Sequence, residues 1–77
     1  MTDAELCLKG IGQRIMDRRK TLGLTQEALA EKGDVTAQFV SYAEAGKRAM
    51  RPENLLKIAT ALEVSADYLL TGDIIDK

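Results

Sequence analysis

The chemistry available to this 77-residue chain is that of hydrogen-bonding and charged side chains, because histidine is absent and cysteine occurs only once. The chain has no histidine, and its single cysteine, Cys7, has no plausible base partner in the sequence. No glycine-rich phosphate-binding loop is present. These features argue against the common catalytic centres and metal sites, so we expect no enzymatic activity, no cofactor and no bound metal.

Positive charge gathers in two places, although the formal net charge of the chain is only -1. A net charge near zero argues against a non-specific polycation but says little about local fields. Both clusters are as compatible with solvated faces as with a binding surface. The first cluster consists of Arg14, Arg18, Arg19 and Lys20, and the second of Lys47, Arg48 and Arg51.

The sequence shows no sign of a membrane segment or of secretion. Its apolar runs extend over only a few residues, which is too short for a membrane-spanning helix. The first ten residues, "MTDAELCLKG", are acidic and lack the cationic start and long apolar centre of a signal peptide. The chain length suits one small domain. We therefore expect a reduced, cytoplasmic, single-domain protein.

Apolar residues recur with helical spacing, whereas the alternation typical of strands is nearly absent. Gly23 suits the end of a first helix, and Pro52 suits the first turn of a later one. The spaced apolar sets are Ile11, Ile15 and Leu22 in the first segment, and Leu55, Ile58, Ala59 and Leu62 in the later one.

Three helix starts share one pattern, with hydroxyl residues Thr25, Thr36 and Ser65 as N-caps. An apolar residue precedes each cap, and another follows four positions after it, which is the pattern of a hydrophobic staple. Together with the spacing above, these caps predict helices at about 10–22, 25–32, 36–44, 52–62 and 66–70. The staple pairs are Leu24 with Leu29, Val35 with Val40, and Val64 with Leu69.

The link Gly33-Asp34-Val35 separates two helices that are too short to be stable alone. Two short helices joined by three or four residues are typical of a helix–turn–helix. Gly33 tolerates a positive φ, and Asp34 adopts the left-handed conformation more easily than most residues. The second helix would present its N-terminal half outward, where it can enter the major groove of DNA.

Several segments resemble the Cro/C1-type (XRE-like) helix–turn–helix family, which includes the DNA-binding domains of lambdoid phage repressors. The segments are "IGQRI", "RRKTLGLTQEALAEK", "VT", "EAGKR" and "ENLLKIATALEVSADYLLTGD", and the resemblance covers about residues 10–73. It implies an all-α, compact five-helix bundle of the lambda-repressor-like type. We accordingly divide the chain into a flexible or helical N-terminal extension (1–9), a helix–turn–helix DNA-binding domain (10–72) and a C-terminal tail (73–77).

The resemblance also implies a function, that of a repressor-like regulator which reads double-stranded DNA with the helix at about 36–44. The expected partner is a pseudo-palindromic operator bound by a homodimer, with Tyr68, Leu70, Ile74 and Ile75 as the expected dimer surface. The residues expected to read bases are Thr36, Ala37, Gln38, Ser41 and Tyr42. Those expected to bind phosphate are Arg14, Gln26, Lys47, Arg48 and Arg51, and Arg19 and Glu44 are expected to form a structural ion pair.

The sequence departs from the family pattern at three positions. Where the family has an aliphatic residue followed by glycine in the turn, this chain has Gly33 and Asp34, so a core side chain is lost. Ala43 replaces a larger apolar residue, and Tyr42 stands where many relatives carry a polar or basic one. The uncharged recognition helix and the acidic balance leave an alternative open, a protein-interaction module on the same fold, antitoxin-like or an adaptor.

Overall fold

The computed structural model describes residues 3–72, with side chains from residue 8 onward. This part of the chain forms five helices and no strand, which confirms the all-α fold expected from the sequence. None of its helices is long and apolar enough to cross a membrane. The first helix begins at Asp3 rather than near residue 10. The helices are α1 (Asp3–Thr21), α2 (Gln26–Gly33), α3 (Ala37–Glu44), α4 (Pro52–Leu62) and α5 (Ala66–Thr71).

The three hydroxyl caps lie where the sequence predicts them. Thr25, Thr36 and Ser65 each accept a hydrogen bond of 3.0 Å from the backbone N–H three residues further on. Such a cap contributes about 1 kcal/mol to stability. In each staple the second apolar residue is fully buried and the first packs, partly buried, against the core. The caps and staples therefore fix where α2, α3 and α5 begin and how the chain enters them.

The core lies between α1 and the four shorter helices. α1 packs against α3, α4 and α5, and α2 packs against α3 and α4. The apolar residues predicted to share one face of α4 are all buried, and so are Ile11 and Ile15 of α1. The buried apolar residues are Ile11, Ile15, Leu29, Ala30, Val40, Ala43, Leu55, Ile58, Ala59, Ala61, Leu62 and Leu69.

Two arginines of α1 bind the C-terminal ends of other helices. The Arg14 guanidinium donates to the carbonyl oxygens of Leu69 (2.8 Å) and Leu70 (3.0 Å), at the end of α5. Arg18 Nε donates to the carbonyl oxygen of Leu62 (2.9 Å), the last residue of α4. Carbonyls in the last turn of a helix lack intrahelical partners and carry partial negative charge, so both contacts are favourable.

The turn between α2 and α3 uses Asp34, and not Gly33, as its left-handed residue. Asp34 has φ 57°, whereas Gly33 is the buried last residue of α2 and its φ is not positive. The N–H of Val35 then closes the turn on the carbonyl oxygen of Ala30 at 2.9 Å. A Cβ added at Gly33 would lie 3.5 Å from Ile58 Cδ1, which is an ordinary contact. The packing around Gly33 therefore leaves room for a β-carbon at this position.

Candidate nucleic-acid interface

The five residues predicted to read bases lie together on the first turn and the outer face of α3. Thr36, Gln38 and Ser41 are exposed, Tyr42 is 37% exposed and Ala37 is half-buried. The opposite face of α3 is buried, with Val40, Ala43 and Glu44 turned to the interior. This division follows from the helical period. One face of α3 is thus free to contact a partner while the other face holds the helix in place.

Two of these residues contact each other across one helical turn. Gln38 Nε2 donates a hydrogen bond of 3.1 Å to the phenolic oxygen of Tyr42. An amide nitrogen carries two hydrogens, so one hydrogen and the carbonyl oxygen of Gln38 remain available. These are the two groups that glutamine uses in bidentate pairing with adenine. Tyr42 therefore orients the amide and leaves one of its hydrogens and its carbonyl oxygen without this contact.

Arg19 of α1 and Glu44 of α3 form an ion pair with two hydrogen bonds. Arg19 Nε lies 2.6 Å from Glu44 Oε2, and Arg19 Nη2 lies 3.0 Å from Oε1. The two side chains are only 12% and 3% exposed. The hydrogen bond to Glu44 raises the pKa of Arg19 above its ordinary value, so the guanidinium stays charged at any pH at which proteins are usually studied. Glu44 is the only acidic residue of α3, and this pairing neutralises it.

Gln26 joins the same carboxylate from a third helix. Its Nε2 donates a hydrogen bond of 3.0 Å to Glu44 Oε1, and it is the first residue of α2. Arg19 also donates from Nη1 to the carbonyl oxygen of Leu24, at 2.9 Å. The carboxylate of Glu44 therefore links α1, α2 and the C-terminal end of α3. The second amide hydrogen of Gln26 remains available for a phosphate.

Gly12 sets how closely α1 approaches α3. It is buried in the middle of α1, and a Cβ built on it would lie 2.4 Å from the carbonyl oxygen of Ala43 and 2.5 Å from that of Glu44. Real side chains do not tolerate such distances to backbone atoms. This residue was not among those predicted from the sequence to matter for the site. The available signal was a glycine inside a helical segment, next to Ile11, where glycine is unfavourable unless packing requires it.

The cations expected to bind phosphate divide into two groups. Lys47, Arg48 and Arg51 are exposed and lie between the end of α3 and the start of α4. Gly46, with φ 71°, turns the chain into this loop. Arg14 does not join them, because the carbonyl oxygens at the end of α5 occupy its guanidinium. Its placement favours a structural role over the phosphate contact expected from the sequence.

Among the described residues, no group of histidine, cysteine, aspartate and glutamate side chains is arranged to hold a metal ion. The structure thus presents a neutral polar helix face followed by a cationic loop. The family model HTH_3, helix-turn-helix, matches residues 15–69 of this arrangement, from α1 through most of α5. The chain belongs to this helix-turn-helix family. Helices α2 and α3 are its helix–turn–helix pair, and the resemblance to Cro/C1-type proteins is confirmed.

Several curated proteins are similar to this chain. It is 41% identical over 64 residues to repressor protein C2 of Salmonella phage P22, covering 83% of this chain and 30% of that protein. It is 34% identical over 67 residues to the HTH-type transcriptional regulator ImmR of Bacillus subtilis, covering 87% of this chain and 53% of that protein. The chain thus spans about half or less of the length of these relatives.

Solved structures of related domains have the same fold. The P22 c2 repressor protein in complex with synthetic operator 9T has a TM-score of 0.79 at 41% identity, over 82% of this chain and 96% of that one. SinR, a master regulator for biofilm formation solved in complex with DNA, has a TM-score of 0.75 at 36% identity, over 78% and 97%. These relatives confirm the expected fold and agree with the function class expected from the sequence.

Proposed function

We propose that this chain is the DNA-reading domain of a repressor-like transcriptional regulator, which binds double-stranded DNA by placing α3 in the major groove. The observation that carries the proposal is the exposed polar face of α3, held from behind by the carboxylate of Glu44 and followed at once by a cationic loop. The major groove is wide enough for one helix. We assign this regulator to the cytoplasm, the compartment in which it would meet its DNA target. We also assign it no enzymatic activity of its own.

The two groups of residues have different tasks. Gln38 pairs with adenine, and the methyl group of Ala37 contacts that of thymine. Thr36 uses its hydroxyl oxygen as the cap of α3, so its hydroxyl hydrogen is left for the DNA. Ser41 and Tyr42 extend the contact by one turn. The flanking residues Gln26, Lys47, Arg48 and Arg51 bind phosphates, which supply affinity and fix the register without selecting a sequence.

Dimerisation follows from the small number of contacts that one domain can make. Helix α3 contains no cation, so the phosphate contacts of one domain come from its flanks alone. A homodimer on a pseudo-palindromic operator doubles them, with half-sites about 34–36 Å apart. Leu70 on α5 is 44% exposed and Tyr68 is half-buried, which suits a shared surface at α5. The other two residues expected there, Ile74 and Ile75, lie outside the described residues.

Selection of bound duplexes from a random DNA pool tests the proposal. The selected operator is then compared with a scrambled duplex of the same length and composition. We expect the protein to bind the operator about 1000-fold more tightly, or better, in the usual range of specific over non-specific binding. Equal affinity for the two duplexes, even at low salt, would overturn the proposal. The neutral face of α3 and the exposed ring of Tyr42 would then be better explained as a protein contact, the alternative left open by the sequence.

A further inference from the structure

A cavity of about 190 Å³ lies beside the buried face of α3, between α1, α4, α5 and the cationic loop. We call it the Ala43 cavity. Its lining is apolar except for one side chain, Arg48, which is the only charged residue among the described residues that line it. The other principal lining residues are Ile11, Ala43, Met50, Leu55 and Leu70.

The cavity exists because small residues stand where larger ones would fill the space. Ala43 is 3% exposed and reaches the cavity with a single methyl group, and Ala49 adds another small side chain. A larger apolar side chain at position 43 would therefore take up part of this space.

The chemistry of the lining favours an organic occupant over water. A buried water needs roughly two to four polar partners. No buried side-chain nitrogen or oxygen of the described residues lacks a hydrogen-bond partner, so none of these groups requires a bound water. An apolar cavity of about 150 Å³ is known to stay dry and to bind benzene. The Ala43 cavity is slightly larger and is open to solvent where its exposed lining residues Arg48, Ala49 and Leu70 lie, so an aliphatic chain of about six carbons can enter it.

We propose that the Ala43 cavity binds a short aliphatic carboxylate, with its chain among the apolar residues and its carboxylate paired with Arg48. A guanidinium binds a carboxylate through two parallel hydrogen bonds, which an alcohol or an amine cannot reproduce. The apolar lining residues and the guanidinium of Arg48 therefore together favour a ligand that has both an aliphatic chain and a carboxylate.

The site has a consequence for DNA binding, and this second step rests on the proposed function. Arg48 is also a proposed phosphate contact, and one guanidinium cannot serve a ligand carboxylate and a DNA phosphate equally well. Ligand and operator therefore compete for Arg48. Each weakens the binding of the other by the same factor, as linkage requires.

Binding is tested by NMR titration of the protein with sodium hexanoate, 1-hexanol and hexylamine at constant ionic strength. We expect saturable shifts at Ala43, Met50 and Leu55, with a dissociation constant for hexanoate of about 1 mM, as suits so small a ligand. Hexanoate should bind more tightly than hexanol, and hexylamine most weakly. An absence of saturable shifts at these residues with hexanoate would overturn the proposal.

Substitutions test the apolar cavity and the guanidinium of Arg48 separately. Ala43→Leu fills the cavity and should weaken hexanoate binding about tenfold or more, and Ala43→Val serves the same purpose if the leucine variant does not fold. Arg48→Ala should keep hexanol binding and lose the preference for hexanoate. Lys20→Ala removes an exposed cation from α1, and it should change neither the affinity for hexanoate nor the preference for hexanoate over hexanol. Unchanged hexanoate binding in the filled variant, or an unchanged preference without Arg48, would refute the assignment.

The link to DNA is tested with the selected operator. Hexanoate should weaken operator binding by the parent protein, relative to acetate at the same ionic strength, and should have a much smaller effect on Ala43→Leu. Hexanoate binding without any change in operator affinity would refute the competition and leave the cavity site standing. If no operator is selected at all, the proposed function fails while the titration still decides the cavity.

Discussion

Gln26 and Glu44 are joined by a hydrogen bond of 3.0 Å, which ties the first residue of α2 to the last residue of α3. The same carboxylate accepts two hydrogen bonds from Arg19. One carboxylate thus fixes both ends of the helix–turn–helix relative to α1. The distance between the start of α2 and the end of α3 is set by side chains in the interior, not by the turn alone.

Glu44→Ala should destabilise the domain by about 3–5 kcal/mol, because it leaves the partly buried guanidinium of Arg19 without its partner. The control is Glu31→Ala, which removes an exposed carboxylate from α2. Urea denaturation of both variants measures the free energy of unfolding. If both variants unfold at the same midpoint, the pair contributes nothing to stability.

The contribution of the ion pair should not change between neutral and mildly alkaline pH. The hydrogen bond to Glu44 raises the pKa of Arg19 in the folded state. Stability from such a group is fully present below its pKa in the unfolded chain, and is lost only as pH rises through the raised folded value. The difference in unfolding free energy between the parent and Arg19→Met should be equal at about pH 7 and about pH 10. A smaller difference at the higher pH would contradict this.

Gln38→Ala should reduce discrimination between DNA sequences. Loss of one base contact should cost about 1–3 kcal/mol on the selected operator and relax the choice of base at one position. Affinity for the scrambled duplex should change little. Gln13→Ala is the matched control, because it truncates an exposed glutamine of α1 that has no proposed contact with DNA. Equal losses on operator and scramble for Gln38→Ala would show that Gln38 reads no base.

Arg48→Ala should weaken binding to both duplexes by a similar factor. A phosphate contact carries no sequence information, and its loss should reduce the slope of log affinity against log salt by about 1. Affinities measured at several salt concentrations test this. Arg18→Ala offers a comparison, because that cation is held by the carbonyl oxygen of Leu62 and should leave the slope unchanged. If Arg48→Ala leaves the slope of log affinity against log salt unchanged, Arg48 does not contact a DNA phosphate.

Gly12→Ala should destabilise the domain by about 1–3 kcal/mol, because the added methyl group meets backbone atoms of α3 that cannot rotate away. Gly33→Ala is the matched control. It is also a buried helical glycine, but its added methyl group would lie 3.5 Å or more from its neighbours. Replacing glycine by alanine inside a helix gains up to about 1 kcal/mol, so Gly33→Ala should raise the melting temperature. A stable Gly12→Ala would mean that α1 and α3 can separate at little cost.

Features that depend on residues close together in the sequence were predicted well. The caps Thr25, Thr36 and Ser65 and the staples behind them are local patterns, and they placed three helix starts correctly. The start of α1 was placed too late, because its first residues lack a clear apolar face. The positive φ in the turn had two candidates, and in the structure Asp34 adopts it while Gly33 lies against α4 as the last residue of α2.

The partners of the α1 arginines could not be read from the sequence. Arg14 contacts carbonyl oxygens 55 and 56 residues away, and Arg18 contacts one 44 residues away. Every residue has a backbone carbonyl, so residue types do not indicate which carbonyl an arginine will bind. An arginine that binds one cannot be distinguished in the sequence from an exposed arginine. The Arg19–Glu44 pair was expected only through the family resemblance. The resemblance also implied that Gln26 braces the recognition helix, but Glu44 could not be named as its partner, because nothing local indicates which polar group a glutamine will reach.

The arginine contacts of α1 bear on how the domain opens. A helix of six residues such as α5 has almost no stability of its own. Arg14 binds its last turn and Leu69 is buried in the common core, so α5 can hardly open while α1 stays in place. Arg18 ties the end of α4 to α1 in the same way. We therefore expect transient opening to be concerted, with the slowest-exchanging amides of α4 and α5 reporting the same global free energy as those of α1.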